Sequence, residues 1–185
     1  KYGSRDELVA AINSLDNAGV DAIADIVINH RVGTTDWADF TDPVWGADSV
    51  CGNDEWTGAQ GNWDTGESYA AARDIDHTQS YVRDSIKSWM SWLKNTIGYD
   101  GWRYDFVKGF AGSYAGEDNI ATAPSFSVGE FWPTEGFDQS NPNAWRGQIV
   151  DWIDATGGHA AAFDFVTKPV LAKALSDGEY WRLRD

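Results

Sequence analysis

The chain has 185 residues, 42% of them hydrophobic, and a formal net charge of −15. That is enough apolar side chain for the core of one domain, and the negative balance argues against nucleic acid or an anionic membrane as a partner. No apolar run is long enough to cross a bilayer, and the single cysteine, Cys51, rules out an internal disulfide.

In chain order, Ser4-Arg-Asp-Glu7 reads as a capping box. Leu8, Ile12 and Leu15 follow at helical spacing, and Gly19 is placed to end the helix. Residues 21–29 form a strand that leads to Asn29-His30. From Arg31 to about Ser80 the periodicity disappears, and Gly, Asp, Asn, Thr and four tryptophans (Trp37, Trp45, Trp56, Trp63) take over. An irregular stretch of that length inside a compact domain points to a functional loop. Val82, Ile86, Trp89, Met90 and Leu93 then mark an amphipathic helix. A strand over 101–107, a Gly-rich linking segment and a strand over 125–131 come next. The pattern closes with a helix over 143–155 whose apolar face is Trp145, Ile149, Trp152 and Ile153, a strand over 161–166 and a helix over 168–176.

The string Gly101-Trp-Arg-Tyr-Asp-Phe-Val-Lys-Gly109 carries the chemistry. Asp105 sits among residues that favour burial, which is costly for a carboxylate unless it is paired. Arg103, two residues earlier, projects to the same face of an extended strand. The pairing holds the acid ionised and oriented, as a carboxylate nucleophile requires. A structural ion pair is the competing reading of this string taken alone. Two further strings, Asp25-Ile-Val-Ile-Asn29-His30 and Ser125-Phe-Ser-Val-Gly-Glu130-Phe-Trp132, also run from apolar strand to polar end. Strands that close on polar groups at their C-terminal ends, separated by helices, describe a parallel α/β barrel with its active site at that end.

These strings resemble the α-amylase family, glycoside hydrolase family 13. Asp25 to His30 is similar to its first conserved region, Gly101 to Gly109 to its second and Gly129-Glu130 to its third. Ala71-Ala-Arg-Asp-Ile-Asp-His77, Ala162-Phe-Asp-Phe165 and Tyr180-Trp-Arg-Leu-Arg184 resemble its plant-type branch most. The fold implied is α/β, an incomplete (β/α)8 TIM barrel holding about strands 3 to 6. Barrel parts at 1–30 and 80–185 would flank an inserted calcium-binding loop domain at 31–79. A whole barrel usually takes about 250 residues, so the chain is expected to be a central piece of a longer protein. The family's fourth region, which bears a third catalytic acid, has no counterpart in these residues.

The resemblance further implies retaining endo-hydrolysis of α-1,4-glucosidic bonds, with Asp105 as nucleophile and Glu130 as general acid and base. Val128, Phe131 and Trp132 beside Glu130 would hold its proton towards the operating pH. His30, Arg103 and Lys108 are the implied substrate-binding set, with His30 on the sugar beside the cleaved bond, Lys108 on the aglycone side and Arg103 orienting Asp105. Ca2+ would be held by the side chains of Asn29, Asp64 and Asp74 and the carbonyls of Glu67 and Gly109. Ser68, where an acid would be expected, argues against additional calcium sites. The expected partner is an α-1,4-glucan, the expected state a monomer and the expected location extracellular. The eleven tryptophans suit stacking on pyranose rings, although most tryptophans only pack. Asp164 looks like Asp105 locally but lacks the arginine two residues before it, so it reads as structural, as do His77 and His159. A transglycosylase or exo-acting relative, or a non-catalytic family member, are the alternatives.

Overall fold

In a computed structural model, residues 2–35 and 37–184 are described, except for the side chains of Arg182 and Arg184 in the Tyr180–Arg184 string. Helix α1 (Arg5–Asn17) starts at the predicted capping box: Glu7 N donates to Ser4 Oγ, and Glu7 Oε2 accepts from Ser4 N. Only Ile12 of its predicted apolar face is buried; Leu8 and Leu15 are exposed.

Strands β1 (Ile23–Ile26), β4 (Gly101–Tyr104), β5 (Phe126–Gly129) and β6 (Ala161–Ala162) form one parallel sheet in the order β1-β4-β5-β6. The two short strands β2 (His30–Arg31) and β3 (Arg73–Asp74) pair antiparallel outside it. Helix α2 (Ser80–Trp92) runs between β1 and β4 and widens into a π-helical turn over Leu93–Ile97. Helix α4 (Asn143–Ala155) joins β5 to β6, and α5 (Thr167–Ser176) follows β6. Parallel neighbours joined by helical crossovers are what βα alternation dictates.

Two expectations need correction. The Gly-rich segment after β4 is a helix, α3 (Gly112–Thr122). It carries no apolar stripe because its inward face is small and polar: Gly112, Ala115, Gly116, Asp118, Asn119 and Thr122. A Cβ at Gly116 would stand 2.4 Å from the carbonyl of Thr156, so glycine here lets α3 lie directly against the end of α4. The strands are also shorter than their apolar runs. Beyond Ile26, Tyr104 and Gly129 the chain turns away, and β6 ends after Ala162 where Asp164 accepts from the amides of Val166 and Thr167.

The main core lies between sheet and helices, and a smaller cluster of Trp145, Ile149 and Val166 packs where α4 meets the start of α5. Trp102 and Tyr104 of β4 are fully buried, and both keep a hydrogen bond. Trp102 Nε1 donates to Thr122 at 3.0 Å, and the Tyr104 hydroxyl to Asn119 at 2.9 Å. Asn119 in turn donates to Ser127 and to the carbonyl of His159, joining α3, β5 and the turn before β6. From α2, Val82, Ile86 and Met90 fill the other side, whereas Trp89 stays 39% exposed. The stretch from 31 to 79 joins the core through Phe40, Val50 and Ile75 and is otherwise held by polar contacts. The buried Asp76 accepts from the amides of Asn62 and Thr78, and Arg73 pairs with Asp54 and Glu55.

Candidate active site

Asp105 and Glu130 stand one residue beyond the C-terminal ends of two adjacent strands. Both are placed by backbone bonds that continue the sheet: Asp105 N donates to Ile26 O and Glu130 N to Tyr104 O, each at 2.9 Å. The two side chains meet on one guanidinium. Arg103 Nη1 lies 2.5 Å from Asp105 Oδ1 and 2.8 Å from Asp25 Oδ1, and Arg103 Nη2 lies 2.9 Å from Glu130 Oε2. Register explains the convergence, since Asp25 is the β1 partner of Arg103. Burial works against the charge of Arg103, but its bonds to Asp105 and Asp25 and the nearby Glu130 outweigh this and raise its pKa. Glu130 therefore faces a cation at Oε2, a partner that its neighbours Val128, Phe131 and Trp132 did not suggest.

Phe106, the residue after Asp105, has φ 47°, a left-handed conformation costly for a bulky side chain. That turn swings the chain out of β4 and puts the Phe106 ring under Tyr69 (4.9 Å between centroids) and near His30 (6.2 Å). His30 stacks on Tyr69 at 4.1 Å. Burial lowers its pKa, while Asp105 pulls the other way. The neutral ring is thus favoured close to the carboxylates. Tyr69 was not singled out in the sequence, and only its place a few residues before the Ala71–His77 string hinted at it.

Lys108 lies on the turn after β4, where its ammonium contacts Thr134 and lies 3.0 Å from Glu67 Oε2. Asp164 only caps the turn into α5. His77 is buried, with Nε2 3.0 Å from Ile28 O and its ring stacked on Phe110 and Tyr114, and His159 is exposed at a turn. A hollow lined by Val27, His30, Arg31, Trp45, Ile86 and Trp89 reaches His30 but includes neither Asp105 nor Glu130.

The residues expected to hold calcium gather behind His30. Asn29 is buried and donates to Asp74 Oδ1 at 3.2 Å, and Asp74 Oδ2 accepts from Tyr69 N. Burial raises the Asp74 pKa to about 7; the Tyr69 amide opposes this, and the charges of Asp64, Asp54 and Glu55 add to it. Asp64 is raised by burial too, against the amides of Gly66 and Thr65 and with the help of Asp76 and Asp54. Its Oδ2 is buried without a hydrogen-bond partner among the described residues. Glu67 N donates to Lys108 O, and a Cβ on Gly109 would meet the Asn29 side chain at 2.0 Å, so both expected carbonyl ligands belong to the same neighbourhood. Buried acids crowded together, one with an orphaned oxygen, suit a hard cation. Among the described residues, however, no three His, Cys, Asp or Glu side chains close into a cage, so carbonyls and the Asn29 amide would have to complete it.

Similarity to known proteins now bears on this geometry. Over 195 aligned positions the chain is 40% identical to "Alpha-amylase 3, chloroplastic" of Arabidopsis thaliana, covering 100% of the chain and 22% of that protein. To "Probable alpha-amylase 2" of the same plant it is 41% identical over 196 positions, 100% of the chain and 46% of the relative. The chain belongs to the α-amylase family. It spans less than half the length of these two relatives, and no protein-family profile matches it. An α-amylase structure from Malbranchea cinnamomea superposes with a TM-score of 0.65 at 20% identity, over 91% of the chain and 34% of that protein. The four-stranded sheet and its helices are accordingly part of a (β/α)8 barrel. The first relative's name places that protein in the chloroplast, which lends nothing to the expectation of secretion.

Proposed function

We propose that these residues form the central part of an α-amylase-type glycoside hydrolase that cuts internal α-1,4-glucosidic bonds of starch-like glucans with retention. The observation that carries the reading is the single guanidinium of Arg103 reaching both Asp105 and Glu130 at neighbouring strand ends. Retaining hydrolysis needs two carboxyl groups about 5–5.5 Å apart, one on each side of the scissile bond. Two carboxylates on adjacent nitrogens of one arginine suit that spacing better than the wider one of inverting enzymes.

In this reading Asp105, fixed by Arg103, attacks the anomeric carbon while Glu130 gives its proton to the leaving oxygen. Glu130 then takes a proton from water, which displaces Asp105. His30, held flat by Tyr69, donates a hydrogen bond to the sugar at the cleaved bond, and Lys108 faces the leaving side. Segment 31–79 acts as the inserted loop domain between barrel parts 1–30 and 80–185. Asn29, Asp64 and Asp74, with the carbonyls of Glu67 and Gly109, would hold a calcium ion. Bound there, the ion supplies positive charge to buried carboxylates and ties the loop to the Asp105 strand. The partner is an α-1,4-glucan, met by a monomer.

The test is reducing-end release from soluble starch by a polypeptide carrying these residues together with the remaining barrel strands. Activity that falls on calcium removal, and by about 1,000-fold or more in Glu130→Gln, is expected of an essential acid. A well-folded protein with no activity would move the assignment to a non-catalytic member of the family.

A further inference from the structure

Three side chains from three separate segments, two of them on the stretches that follow Asp105 and Glu130, meet one another, and catalysis alone does not require them to. Glu67 comes from the irregular segment, Lys108 from the turn after β4 and Thr134 from the stretch that follows Glu130. Glu67 Oε2 accepts from Lys108 Nζ at 3.0 Å and from the Thr134 hydroxyl, which itself accepts from Lys108. The backbone reinforces the meeting. Glu67 N donates to Lys108 O at 2.9 Å, and a Cβ on Gly66 would stand 2.3 Å from that same carbonyl oxygen. The Lys108 side chain is 14% exposed and its ammonium lies 5.3 Å from the Phe106 ring centroid. It is a seated cation, not a free one.

We propose that Glu67 is a positioning residue for the aglycone side of the cleft. Its carboxylate fixes Lys108 Nζ and Thr134 Oγ1, and through them sets the Glu130 segment against the strand that carries Asp105. The proposal rests on the glucan-hydrolase reading above and deepens it. A lysine ammonium has three donors; two are directed at Glu67 and Thr134, which leaves one for a sugar hydroxyl. A free lysine would have to lose its rotamer freedom on binding, and one already fixed does not. Glu67 therefore favours glucans long enough to reach Lys108 over substrates that stop short of it.

Two readouts separate this from a merely structural contact. On the complete barrel, kcat/KM is measured for a long linear maltooligosaccharide and for a maltooligosaccharide ending in a single aryl leaving group. Glu67→Ala should lower kcat/KM on the long substrate about threefold to fivefold more than on the aryl one, the size an exposed ion pair supports, and mainly through KM. Glu67→Gln keeps an acceptor oxygen and should recover most of the difference. Equal losses on the two substrates, or none, would overturn the proposal. The second readout needs no activity: amide exchange in residues 106–110 and 131–136 should quicken in Glu67→Ala, and unchanged exchange overturns the link. An inactive parent in which that exchange still quickens would leave the link standing and sink the hydrolase reading alone.

Discussion

A single arginine organises the candidate site. Arg103 offers a planar fork of donors, and its nitrogens divide among Asp25, Asp105 and Glu130. Lysine cannot reproduce that fork with one ammonium. Arg103→Lys should therefore lower kcat by about 100-fold, the penalty for misplacing catalytic groups by about an ångström, with KM changed far less. Steady-state kinetics on a soluble glucan check this, and a kcat within a few-fold of the parent would show that Arg103 does not orient the acids. Much of this was legible beforehand. Arg103 and Asp105 are two apart on one strand, so their pairing follows from strand geometry. That Glu130 shares the same guanidinium depends on the register of β4 and β5, which no local pattern encodes. For the same reason Tyr69 and Thr134 stayed hidden: their contacts to His30 and Lys108 span 39 and 26 positions.

Among the elements, α2 and α4 announced themselves through apolar positions three and four apart, and their buried residues lie where that spacing put them. Helix α3 gave no such signal. It packs through backbone proximity and hydrogen bonds, with Gly112 and Gly116 against α4 and Asn119 and Thr122 against β4, so a hydrophobic pattern had nothing to register. Gly116→Ala is expected to cost about 1–3 kcal/mol by overpacking at the Thr156 carbonyl, read as a lower denaturation midpoint; an unchanged midpoint would mean that α3 and α4 can separate freely. On the same helix Asp118 is 2% exposed and its Oδ2 has no hydrogen-bond partner among the described residues. Burial raises its pKa to about 7, opposed by Lys87 and Arg83 and aided by Glu117. Because the folded state holds this proton more tightly than the unfolded one, the contribution is full at low pH and is lost as pH rises from about 4 to about 7. Asp118→Asn should flatten the decline of melting temperature across that window, and a decline as steep as the parent's would assign the proton elsewhere.

At the scale of the whole chain, the parallel sheet ends on β1 at one edge and β6 at the other, and among the described residues neither has an outer neighbour. Apolar side chains are correspondingly exposed on that side and on the outer helices: Val27 at 45%, Trp92 at 42%, Leu15 at 41%. A closed barrel covers such edges, and closure also brings residues from further strands to the end where Asp105 and Glu130 stand. The central claim, that these two acids form a retaining pair on Arg103, is therefore best tested on the complete barrel. The measurement is the anomeric configuration of the first product released from an α-1,4-glucan, followed by proton NMR before mutarotation. The account predicts the α-anomer, and its disappearance in Glu130→Gln. A β-anomer as first product would contradict it, because inversion requires the acids to stand apart with a water between them.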